Sequence, residues 1–163
     1  MSDRQFQDIA KQLLDNTICL TMQLNELLEK EYAVLKSLDT SALSNIADEK
    51  TPIAALIDQH NQEWLTLLER YVGTPAPSKI KQFLNNYDNR HQTSLSESWQ
   101  SLTSHARKCQ RLNTINGTVI VLRNQAGNQI LSILRGQNGN HSTYDTHGNH
   151  KIIHNGGHSI AKA

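Results

Sequence analysis

The side chains best equipped for chemistry in this 163-residue chain are its eight histidines and two cysteines. Five histidines crowd the C-terminal end, at positions 141, 147, 150, 154 and 158. His147, His150 and His154 are spaced by three and four residues, so a helix would bring them onto one face, as a zinc site needs. Gly148, Gly156 and Gly157 oppose such a helix, and Asp145 is the one further ligand type nearby. The expectation is no specific metal site and no cofactor, only adventitious Ni²⁺ or Zn²⁺ binding. Cys19 and Cys109 lack CxxC spacing and lie among apolar neighbours, which predicts two reduced, buried thiols. There is no GxxxxGK[ST], GxGxxG, HExxH or GxSxG motif. The chain is therefore expected not to be an enzyme, with no catalytic residues.

Charge is distributed unevenly. Residues 1–70 carry 12 acidic and 6 basic side chains, residues 71–163 carry 3 and 10, and none between Glu97 and Asp145 is acidic. Two readings fit: an anionic partner for the second half, or two halves that pack together and partly cancel. Arg107, Lys108, Arg111 and Arg123 are few and lack interleaved aromatics, so no nucleic-acid binding is expected. The length is that of one ordinary domain. Aromatics are only 5%, while 15 Asn and 13 Gln make the chain rich in amides. No run reaches the ~18 apolar residues of a membrane span. The opening MSDRQFQDIA lacks the basic start and apolar core of a signal peptide. A cytoplasmic protein without membrane insertion is expected.

The elements that must position these residues are helical. In the first, over 4–37, Phe6, Leu13, Leu20, Leu27 and Val34 recur every seven residues. Ile9, Leu24 and Leu38 fill the alternate position, giving a coiled-coil-like stripe widened by Leu14, Leu28 and Leu35. Asp39 or Ser41 can cap the second, over 41–72. Its seam runs Leu43, Ile46, Lys50, Ile53, Ile57, His60, Trp64, Leu67 and Tyr71, with a kink or restart expected at Pro52. Lys50 is expected to snorkel out of that seam, His60 to be satisfied at an interface, and Trp64 and Trp99 to share one core.

Gly73-Thr74-Pro75-Ala76-Pro77-Ser78 breaks the chain before a short helix over 79–87, with Ile80, Phe83, Leu84 and Tyr87 on one face. After a turn at 88–93, Thr93 or Ser94 can cap a long segment over 94–135. Its first part is conventionally amphipathic. From Leu112 to Leu134 the segment is apolar on several faces, with Arg123 its one charged side chain, so it must be buried on several sides or reserved for a partner. Asn116-Gly117 followed by Thr118-Val119-Ile120-Val121-Leu122 fits a hairpin turn and strand as well as a helix. The pattern leaves both open. Residues 136–163 have too few apolar side chains for a core and are expected as a flexible tail.

Three motifs then lie in order on this plan: Glu49-Lys50 ahead of the aliphatic seam, Leu112-Asn113-Thr114-Ile115-Asn116-Gly117, and Thr143-Tyr144-Asp145-x-x-Gly148. Together they resemble the flagellar export chaperone FlgN family across essentially the whole chain. The resemblance implies that Asn116-Gly117 sits inside a helix. The fold expected is all-α: an antiparallel hairpin of two long helices, a short connecting helix, a third long helix and a polar Gly/His-rich C-terminal tail, with 1–135 the bundle. The resemblance also implies a function: holding the C-terminal helical ends of the hook-filament junction proteins FlgK and FlgL unassembled. Delivery to the export gate, through the cytoplasmic domain of FlhA, follows from the same likeness. By matching position, client contact falls to Leu112, Ile115, Val119, Leu122, Ala126, Ile130 and Ile133, and export-gate docking to Tyr144. The rival is a structural coiled-coil adaptor that self-associates through the first helix.

Overall fold

The computed structural model describes residues 2–37, 39–73 and 76–135. These form four helices: α1 (Asp3–Ser37), α2 (Thr40–Val72), α3 (Pro77–His91) and α4 (Leu95–Leu134). No strand occurs among the described residues, so the all-α class holds. The ambiguous stretch 117–122 is helical. The chain divides into two units, Met1–Thr118 and Val119–Ala163. Leu38, Tyr144 and all five C-terminal histidines lie outside the described residues.

Local signals explain the helix boundaries. Ser2 and Gln5 form a reciprocal capping box: the Gln5 N–H donates to Ser2 Oγ at 3.3 Å and the Ser2 N–H to Gln5 Oε1 at 3.1 Å. Asp39 caps α2, accepting from the Ala42 N–H at 3.0 Å and the Ser41 hydroxyl at 2.7 Å. α2 runs unbroken through Pro52, so the expected restart does not occur. It ends at Gly73, whose φ of 86° suits a residue without Cβ. Helix α3 exceeds its expected 79–87 at both ends, absorbing 88–91 before Gln92 stops it in the left-handed region.

Asp88 also corrects an expectation at the start of α4. The cap comes from neither Thr93 nor Ser94; the Asp88 carboxylate accepts from the Leu95 N–H at 2.9 Å and the Ser96 N–H at 2.7 Å. Thr93 instead donates its hydroxyl to the same carboxylate. A carboxylate at a helix N-terminus meets both orphan donors and the positive end of the dipole, which a neutral hydroxyl does less well.

Within Met1–Thr118, polar cross-links set the helix directions. Asp3 meets Tyr71, Thr17 meets His60 and Glu31 meets Lys50, so α1 and α2 are antiparallel. Lys11 meets Ser98, Cys109 meets the Thr21 carbonyl and Asn116 meets the Leu28 carbonyl, at chain separations of 87, 88 and 88. Helix α4 therefore runs parallel to α1. One apolar cluster joins all four helices through Phe6, Leu14, Trp64, Leu68, Leu84 and Leu95. Trp64 and Trp99 stack at 5.5 Å, sharing one core as expected. Phe6 stacks on Tyr71 at 4.2 Å and meets Tyr87 edge-on at 5.1 Å.

The α1 stripe holds for the most part: Phe6, Leu14, Leu27, Leu28 and Leu35 are buried, and Leu13, Leu20, Leu24 and Val34 half-buried. The buried residues are Phe6, Ala10, Leu14, Thr17, Thr21, Asn25, Leu27, Leu28, Glu31 and Leu35. Ile9, assigned to the stripe, is 43% exposed. The buried face also takes in four polar residues: Thr17 and Thr21 donate to α1's own carbonyls, while Asn25 and Glu31 bond to α4. Cys109 is buried as expected, but Cys19 is exposed, on a side of α1 away from Leu14, Thr17 and Thr21.

Candidate functional site

Helix α4 changes character at Asn116. Up to there it alternates buried positions (Leu95, Leu102, Cys109, Asn116) with solvent-facing ones. Asn116 is only 1% exposed, and its amide donates to the Leu28 carbonyl at 2.9 Å and to Glu31 Oε2 at 2.7 Å. The other Glu31 oxygen takes the Lys50 ammonium at 2.5 Å. Lys50 thus leaves its seam by pairing with Glu31 of α1. One carboxylate joins α1, α2 and α4, and no residue of α4 after Asn116 is buried.

The seven side chains assigned to client contact lie along this transition. Leu112 and Val119 are half-buried, while Ile115, Leu122, Ala126, Ile130 and Ile133 are exposed. Leu122 is 59% exposed, Ile130 57% and Ile133 62%. At 3.6 residues per turn these fall on one stripe. Ile120, Leu131 and Leu134 form a second stripe beside it and are also exposed. Asn124, Gln125, Asn128 and Gln129 occupy the opposite side. The described part of Val119–Ala163 is thus a helix with exposed apolar side chains over about half its circumference, interrupted by Arg123, and with Val121 exposed among the amides.

Elsewhere the chemistry is sparse. An open groove of about 610 Å³ between α1 and α2 is lined by Gln12, Asn16, Gln59 and Gln62 around Ile9 and Leu13. Its histidine, His60, meets the Thr17 hydroxyl at 3.2 Å, which makes it a satisfied interface residue. Among the described residues no cluster of His, Cys, Asp and Glu is arranged to hold a metal ion. No described helix is long and apolar enough to cross a membrane. Of the basic residues of α4, Lys108 pairs with Glu29 at 2.7 Å. Burial pushes the Cys109 thiol above its ordinary range, with Lys108 opposing, which keeps it protonated and unreactive.

A family model described as FlgN protein matches residues 1–152. The chain belongs to the FlgN family. It is accordingly a flagellar export chaperone, as the order of motifs had implied. No curated protein and no solved structure matches it. Membership gives the residues of the Leu112–Gly117 motif a context, and the geometry gives them separate tasks. Within this FlgN chain Asn116 faces inward as a tie between helices, whereas Ile115 faces outward at 40% exposure. A Cβ added to Gly117 would meet nothing within 4 Å, so packing inside the chain does not explain its small size.

Proposed function

We propose that the exposed apolar face of α4, from Leu112 through Ile133, captures the C-terminal helical ends of the hook-filament junction proteins FlgK and FlgL in the cytoplasm. Capture keeps these clients from assembling prematurely. The chain then delivers them to the flagellar type III export gate, docking on the cytoplasmic domain of FlhA through Tyr144. The observation that carries this reading is a long helix, last of the described residues, whose apolar stripe has Leu122 and Ile133 more than half exposed while the α2 and α3 seams are buried or half-buried. A client end that later packs in a filament is itself an amphipathic helix, and helix-in-groove or helix-on-helix docking buries apolar area on both. Burial of ~800 Å² per partner suffices for a specific complex. An affinity near ~1 µM, about −8 kcal/mol, permits release at the gate.

The deciding experiment is calorimetric titration of the chain with a peptide covering the C-terminal helix of FlgK. Saturable one-to-one binding is expected. Absence of binding, together with a tight elongated homo-oligomer, would favour a structural coiled-coil adaptor instead.

A further inference from the structure

The two ends of Met1–Thr118 are held by different chemistry. At the end near Phe6 and Tyr87 the helices share one apolar cluster, and Leu102 is the last α4 residue in it. Farther along, Leu28 and Leu35 of α1 and Ile46 of α2 are buried outside that cluster. There α1 offers polar groups to α4. The Thr21 carbonyl accepts from the Cys109 thiol at 3.5 Å, the Asn25 amide donates to the His105 carbonyl at 3.2 Å, and Glu31 holds Asn116. Three buried side-chain polar atoms lack a hydrogen-bond partner among the described residues. Trp64 Nε1 is one; the other two, Asn25 Oδ1 and Asn116 Oδ1, lie on this seam. Water would satisfy both oxygens, so parting the helices here is easier than exposing Leu14, Trp64 and Leu84 at the other end.

We propose that Glu31, Lys50 and Asn116 form a latch, and that α4 from about Cys109 to Thr118 is an arm that swings off α1 and α2 when the latch opens. The hinge lies just past Leu102, the last α4 residue of the apolar cluster; beyond it α4 buries only Cys109 and Asn116. Partial opening of this kind is drawn from the segments with fewest apolar contacts. The carboxylate is suited to the task because each of its oxygens serves a different helix: losing either bond weakens the hold on both. Opening turns the Leu112–Asn116 side of α4 outward and so extends the client face toward the N-terminus of the same helix. That last consequence rests on the client reading above, whereas the latch does not.

Hydrogen–deuterium exchange on the full chain tests it. Amides of 109–118 are expected to exchange roughly tenfold or more faster than those of 99–102 within the same helix. Glu31→Gln keeps size but removes the charge from both bonds. It should speed exchange at 109–118 by a further ~threefold or more, leaving 99–102 and 64–68 unchanged. Lys50→Met attacks the same latch from α2 and should act locally in the same way. Equal protection along 99–118, or variant effects spread over the whole bundle, would overturn the latch. Tighter FlgK-peptide binding by Glu31→Gln is expected; unchanged or weaker binding would overturn the link between arm and capture. Failure of the wild-type chain to bind any peptide would count against the client reading while the exchange pattern still decides the latch.

Discussion

Asn116 of α4 and Glu31 of α1 meet at 2.7 Å in the interior, 85 residues apart in the chain, and theirs is the last buried contact α4 makes. Because Glu31 also takes Lys50, this pair fixes the register of three helices at once. Buried polar pairs of this sort specify register more than they add stability.

Asn116→Ala should destabilise the chain by about 2 kcal/mol, since it empties a filled site and leaves half of a buried carboxylate unpaired. Urea unfolding followed by circular dichroism reads this directly. A loss below the error of the measurement would mean that the contact adds nothing to stability.

Gly117→Ala should raise stability by about 1 kcal/mol, because helix propensity improves and no atom obstructs the new methyl. Gly127→Ala meets equally open space and should raise helix content in the same way. If Gly117→Ala stabilises yet weakens client binding, the missing Cβ serves the partner's approach.

Leu122→Asp should abolish binding of the FlgK peptide while changing stability by less than about 0.5 kcal/mol, as expected for an exposed site. Leu84→Ala, at a position with 0% exposure, should instead cost about 2–5 kcal/mol. A large loss of helix content in Leu122→Asp would place that residue in the core.

Stability should fall at both pH extremes for identifiable reasons. At Asp88 burial raises the carboxyl, but hydrogen bonds from Ser96, Thr93 and the Leu95 N–H outweigh it, and the group lies below its ordinary value. Its contribution is complete above the unfolded carboxylate pKa of ~3.9 and is lost as pH falls through the lower folded value. Tyr71 behaves oppositely: burial and then the hydrogen bond to Asp3 raise it from 10.0 to about 12. Its contribution is intact below pH 10.0 and is lost as pH rises toward about 12. Melting curves of Asp88→Ala and Tyr71→Phe should flatten the acid and alkaline limbs respectively.

Tyr144→Ala should leave peptide affinity unchanged and reduce export of FlgK in cells. Equal export by wild type and variant would remove Tyr144 from gate docking.

Some of this protein was fixed by its sequence alone. Every position of the α2 seam from Leu43 to Tyr71 is buried or half-buried, because a three–four alternation of apolar residues can satisfy only one face of a helix. The α3 face of Ile80, Phe83, Leu84 and Tyr87 was legible for the same reason. The Ser2-x-x-Gln5 capping box is likewise a local signal that the sequence carries. The apolar character of α4 after Leu112 was equally plain, but whether those side chains would be covered was not.

What only the tertiary structure decided concerns polar groups. The α1 periodicity does not single out Thr17, Asn25 and Glu31 as buried; partners 43 to 85 residues away place them inside beside the aliphatic stripe. The cap of α4 comes from Asp88 on the preceding helix, a choice no local rule ranks above Thr93 or Ser94. Burial of a polar side chain depends on whether a distant group meets it, and periodicity carries no information about that encounter.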